Sequence, residues 1–193
     1  QSNCAETTIL GIRLLLLTGV RTGELRAATP DQFDLEKGIW SVPPEGVKQL
    51  RGRVRTQADE VPPYLVPLST QAMRIVKRLM QMKGRGARYL LVHRLEPQAM
   101  ISENTLNTAI SRMGFKGRLT GHGIRATIST ALNEVGFVEE WIEAQLSHAD
   151  TNKIRAAYNH AEYVEQRRVM MQEWADYLDK LRVGADVIQL KSA

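Results

Sequence analysis

The sequence predicts a mainly helical α+β domain with one small antiparallel β-sheet, and three observations carry that prediction. Apolar residues recur at helical spacing after Ser69, after Thr120 and again over residues 161–182. Two short β-prone runs, residues 33–35 and 39–42, flank Glu36-Lys37-Gly38 as a hairpin, and residues 64–66 offer a third strand. Glycines at 19, 84, 114 and 136 stop the helical runs where a left-handed terminal residue suits them.

Taken in order, residues 9–17 are dense in Leu and Ile and read as a helix buried on most sides, ended by Thr18-Gly19. Thr22 is placed to cap a second short helix over residues 23–28, with Glu24 in the first turn where a carboxylate is favoured. Arg21 falls in the tight link between the two. A long cation held there by packed helices is poorly explained by solvation alone. Thr29-Pro30-Asp31 breaks the helix ahead of the hairpin. Pro43-Pro44 interrupts regular structure, Val47-Lys48 resumes an extended stretch, and the polar run from Gln49 to Glu60, with Arg51, Arg53 and Arg55, reads as a mobile loop.

Ser69 caps an amphipathic helix bearing Ala72, Ile75, Val76, Leu79 and Met82. Ser102 caps another with Leu106, Ile110 and Met113, stopped by Gly114. The helix from Thr120 to Gly136 carries Ile124, Ile128, Ala131, Leu132 and Val135 on one face. His122 and Arg125, three apart, share another and should be presented together at its edge. A helix over residues 139–146 buries Trp141, Ile142 and Leu146. A short one starts at Asn152 and ends near Tyr158. The last, residues 161–182, bears Tyr163, Val164, Met170, Met171, Trp174, Leu178 and Leu181, a stripe read as packing.

The 193 residues suffice for one domain with a real core, over residues 1–182, with residues 183–193 as a tail. The net charge of +5 and pI near 9.5 lean towards a polyanionic partner. The single cysteine, Cys4, excludes an internal disulfide and fits a reducing compartment. No apolar run is long enough to span a membrane, since residues 9–17 are short and interrupted by Gly11 and Arg13. Residues 1–8 lack the basic start of a signal peptide. The chain opens Gln-Ser-Asn, read as a short scar (residues 1–3) on an excised fragment. No cluster of carboxylates, Cys or His has metal-ligand spacing, so the expected chemistry needs no metal and no cofactor.

Four pieces, in this order, resemble the catalytic domain of the tyrosine recombinases, or phage-type integrases: T-G-V-R-T-G-E-L (18–25), H-G-I-R (122–125), L-S-H (146–148) and A-A-Y (156–158). L-N-E-V-G-F (132–137), A-A-Y-N-H-A-E-Y (156–163) and M-M-Q-E-W-A-D-Y-L (170–178) are similar to prophage and genomic-island integrases. The resemblance implies that Arg21 and Arg125 bind the scissile phosphate, that Lys48 is the lysine of the small sheet, and that His122 and His148 are the site histidines. It makes Tyr158 the nucleophile and Glu24 a support for the first arginine's loop. The segment between Lys48 and Tyr64 is longer than the family pattern, which leaves Arg51 or Arg53 able to stand near the same phosphate. The resemblance further implies a preceding core-binding domain absent from this fragment. It implies double-stranded attachment sites as partners, a homotetramer on DNA for the full-length protein with a monomeric isolated fragment, and directionality or bending factors. The expected setting is the bacterial cytoplasm, on DNA and not on a membrane.

These side chains suit phosphodiester transesterification. A phenol with a pKa of about 10 needs neighbouring cations to attack phosphorus. Two guanidinium forks stabilise charge growing on the non-bridging oxygens, and a lysine crowded by cations gives up a proton more readily. Singly, each residue has a plainer account: Arg21 as an inter-helix ion pair, His148 as a helix-end cation, Lys48 as a solvated strand end. Arg51, Arg53 and Arg55 are read as non-specific phosphate contacts or solvated loop, Tyr163 as core, and His93 and His160 as structural. Two other functions compete with recombination: a type IB topoisomerase-like nicking and closing enzyme, and a non-catalytic basic DNA-binding module.

Overall fold

The computed structural model describes residues 4–56, 61–147 and 163–184. Helix α1 (Glu6–Thr18) runs through the centre of the core, with Leu14 and Leu15 wholly buried, and packs against five other helices. It ends as expected at Gly19, whose φ of 67° closes the last turn through its N–H to the Leu15 carbonyl. Helix α2 (Thr22–Arg26) follows, and its N-cap is Arg21, so Thr22 is the first helical residue and not the cap.

Strands β1 (Phe33–Asp34), β2 (Ile39–Val42) and β3 (Tyr64–Pro67) form the expected antiparallel sheet in the order β1-β2-β3. Trp40 pairs with Phe33 on one side and Val66 on the other. Its buried ring stacks on Phe33 with centroids 4.9 Å apart, and its indole N–H donates to Gln32. Two expectations fail between β2 and β3. Val47 keeps an extended backbone after the 3₁₀ turn Pro44–Gly46, but the stretch goes no further, since Lys48 lies in a turn. The polar run that follows is not all loop, because Arg51–Thr56 form helix α3. Buried Val47 and Leu50, with half-buried Val54, give this stretch an apolar side that its arginines mask in sequence.

Helix α4 (Thr70–Met82) begins at Ser69, whose hydroxyl accepts the Ala72 N–H at 3.2 Å. Helix α5 (Thr105–Ile110) has Asn104 at its N-cap, and Ser102 bonds the Thr105 hydroxyl instead of capping. A π-turn, Ser111–Phe115, contains Gly114 at φ 94°. Helix α6 (Gly121–Val135) is capped by Thr120 and Gly136, as the sequence indicates. Helix α7 (Glu139–Gln145) buries Ile142 and Leu146 but leaves Trp141 half-buried. The final helix, α8 (Val164–Val183), packs on β3, α1 and α7. Tyr163 is its N-cap at φ 62°, half-buried, and not a member of the interior stripe. No helix of the described residues is long and apolar enough to cross a membrane.

Candidate active site

Two helix ends meet where the basic residues gather. The last carbonyls of a helix have no intrahelical partner, and α1 and α7 bring theirs together. Leu146 packs so closely on the end of α1 that a Cβ on Gly19 would lie 2.9 Å from its Cδ2. Thr18, Gly19, Gln145 and Leu146 are buried and Ala144 and Ser147 half-buried, so the carbonyls of these residues need donors.

Arginines supply most of them. Arg21 donates from Nη2 to the Ser147 carbonyl at 3.1 Å. Its Nη1 pairs with Glu24 Oε1 at 3.0 Å, while Glu24 Oε2 accepts the Arg21 backbone N–H at 2.7 Å. Glu24 is buried, so one carboxylate both starts α2 and fixes the guanidinium. Arg125 is 5% exposed and donates from Nη1 to the Gly19 carbonyl and from Nη2 to that of Leu146 at 2.5 Å. Burial first, and the nearby Arg21 cation second, pull its pKa below the ordinary arginine value. Arg21 and Arg125 thus reach consecutive carbonyls from segments far apart in the sequence.

Helix α6 can come this close to α2 because its first residue has no side chain. A Cβ on Gly121 would sit 2.3 Å from Thr22 Cγ2, and the Gly121 N–H donates to Asn107 Oδ1 at 2.9 Å. His122 occupies the same first turn and is exposed, whereas Arg125 is buried and turns to the Gly19 and Leu146 carbonyls.

Lys48 is exposed in its turn. Arg51 donates to the Glu45 carbonyl at 3.2 Å, Arg55 is exposed, and Arg53 lies in α3. His93 is structural, its Nδ1 accepting the Glu96 N–H at 3.1 Å. His148, Tyr158 and His160 lie outside the described residues, as do the helix expected from Asn152 and the tail beyond residue 184. Among the described residues no group of three or more His, Cys, Asp or Glu could hold a metal ion.

Three residues at this centre were not singled out from sequence. The Tyr64 hydroxyl donates to the Gln145 carbonyl, and burial pushes its phenol up to about 12. The Gln145 side chain donates to the Thr18 carbonyl at 2.7 Å. Arg167, 2% exposed, donates to the carbonyls of Ala144 at 3.1 Å and Leu65, with its guanidinium 5.9 Å from the Tyr64 ring centroid. The signal for Arg167 was its register, since it falls in phase with Met170, Met171 and Trp174 on an otherwise apolar stripe.

Comparison with known proteins points the same way. The integrase of Enterobacteria phage P4 is 41% identical over 181 residues, covering 91% of this chain and 41% of that protein. Among solved structures, the integrase from mycobacterium phage Brujita aligns with a TM-score of 0.61 at 18% identity, over 89% of this chain and 52% of that one. The Tn1549 transposon integrase, solved in complex with circular intermediate DNA, gives 0.55 at 16% identity, over 86% and 57%. The chain therefore spans about two fifths of the length of its curated phage relative, while sharing a fold with more distant integrases. With residues 2–165 matching the model of the phage integrase family, the chain belongs to that family.

Proposed function

We propose that the chain is the strand-cleaving part of a site-specific DNA recombinase, which integrates or excises DNA through a 3′-phosphotyrosyl intermediate. The observation that carries this reading is the convergence of Arg21 and Arg125 on the carbonyls of Leu146 and Ser147. Two guanidinium groups on neighbouring carbonyls, one braced by a buried carboxylate, support a shared anionic ligand.

In the proposed reaction the Tyr158 phenol oxygen attacks a backbone phosphorus, the bond to the 5′-oxygen breaks, and that oxygen leaves as a hydroxyl after gaining a proton. The reverse attack by a 5′-hydroxyl rejoins the strand, so no external energy source is needed. Arg21 and Arg125 stabilise the charge on the non-bridging oxygens. Lys48, exposed after β2, is assigned the proton donor to the leaving oxygen. His122 and His148 are assigned hydrogen bonds to phosphate or transfer of the phenol proton. Arg51, Arg53 and Arg55 are assigned backbone phosphate contacts. In the longer protein the same reading places four copies on two duplex attachment sites.

The test uses the full-length protein and a nicked duplex carrying the junction of its element, with EDTA present. Denaturant-resistant covalent adducts should form and vanish in Tyr158→Phe, while DNA affinity is retained. Adducts that persist in Tyr158→Phe assign the nucleophile to another residue. Relaxation of supercoils without exchange of partners indicates the topoisomerase alternative, and binding without any adduct indicates a non-catalytic module.

A further inference from the structure

The end of α7 is held in an unusual way. Four successive carbonyls at the end of α7 and just past it, at residues 144, 145, 146 and 147, accept in turn from Arg167 Nη1, the Tyr64 hydroxyl, Arg125 Nη2 and Arg21 Nη2. The donors come from α8, β3, α6 and the start of α2. The proposed function uses only the last two. The first two need their own account, because burying a guanidinium is costly without a compensating charge. Among the described residues no carboxylate pairs with Arg167. Burial dominates the lowering of its pKa, and its Nε has no hydrogen-bond partner there. A methionine or leucine at this place in the stripe would fill the core without that cost.

What Arg167 does that an apolar residue cannot is join two particular points. It lies in the first turn of α8, where its own N–H donates to the Tyr163 carbonyl at 2.7 Å, and its side chain reaches Ala144 near the end of α7. Residues 148–162, with His148 and Tyr158, are the chain between those points. Tyr64 adds a second tie to the α7 end and lies beneath the Arg167 guanidinium. The same helix end presents Leu146 and Ser147 to Arg125 and Arg21. One cluster therefore ties the α7 end to α8 and β3 and orients Arg125 and Arg21.

We propose that Arg167 is a positioning residue for strand cleavage, acting with Tyr64 through the α7 terminus to hold the Leu146 and Ser147 carbonyls that orient Arg125 and Arg21. This rests on the reading of Tyr158 as the nucleophile. Displacing a reacting group by about 1 Å costs on the order of 100-fold in rate, so loss of the tie should appear in the chemical step and not in DNA binding.

The experiment measures single-turnover adduct formation at saturating nicked duplex, the Kd for the same duplex, and the unfolding midpoint. It compares full-length wild type with Arg167→Met, Arg167→Lys and Tyr64→Phe. The expected result is a fall in cleavage rate of roughly 100-fold in Arg167→Met and roughly 10-fold in Tyr64→Phe, with Kd within about threefold of wild type. Arg167→Lys, which keeps a cation and a donor, should recover part of the loss. If Arg167→Met does not fold, the lysine and phenylalanine variants carry the comparison. A folded variant that cleaves at the wild-type rate, or whose whole loss lies in Kd, overturns the positioning role while leaving the proposed function standing. Absence of adducts from wild type overturns the proposed function itself, and this inference with it.

Discussion

Replacing Gly121 by alanine tests the closest approach in the site. The overlap is purely steric, because Gly121 is an ordinary helical residue without a positive φ. The new Cβ would lie 2.3 Å from Thr22 Cγ2, about 1.1 Å inside the 3.4 Å at which ordinary contact begins. Overpacking of this kind costs ~1–3 kcal/mol. Alanine's helix propensity returns at most ~1 kcal/mol, so a net loss of about 1–2 kcal/mol is expected. Thr22→Ser removes the offending methyl, and in that background Gly121→Ala should be close to neutral. Urea unfolding of the two single variants and the double variant measures the coupling directly. The structural reasoning fails if Gly121→Ala matches wild type in stability, or if it costs the same with serine at 22. Because α6 carries Arg125 and α2 begins at Arg21, the alanine variant should also cleave more slowly than its stability loss explains.

Three further outcomes follow from the same contacts. Tyr64 keeps its proton up to about pH 12 when folded, against about 10 when unfolded. The unfolded chain therefore loses this proton first, and stability should fall as pH rises from about 10 to 12, by up to ~3 kcal/mol; Tyr64→Phe should flatten that part of a urea stability profile. Thr120→Ala removes the acceptor for the Gly123 N–H and should cost ~1 kcal/mol by thermal unfolding. Arg125→Lys retains the charge but cannot span the Gly19 and Leu146 carbonyls, so adduct formation should fall at least ~100-fold, and a rate near wild type would contradict the proposed role.

Much of the fold is legible in the sequence because it is set locally. Ser69 and Thr120 announce helix starts by capping chemistry, Gly19 and Gly136 announce ends, and the Glu36-Lys37-Gly38 turn fixes the β1–β2 register. The failures are local signals overruled by packing. Arg51 and Arg55 make residues 49–60 look like open loop, yet Val47, Leu50 and Val54 give that stretch enough apolar surface to dock and hold a turn of helix. Thr22 looks like a cap, but Glu24 reaches back to the Arg21 N–H and starts α2 one residue earlier.

The sequence by itself determined the helical periods, the hairpin, the order of the basic motifs and so the family. Tertiary structure alone decided that Arg125 turns inward while His122 faces out, and that Arg167 belongs inside the stripe it interrupts. Periodicity reports which residues share a face of one element, a property each segment carries alone. Unpaired carbonyls at a helix end are common to every sequence. Only when α1 and α7 are packed end to end does burial oblige them to find donors, and only then do arginines from distant segments become neighbours.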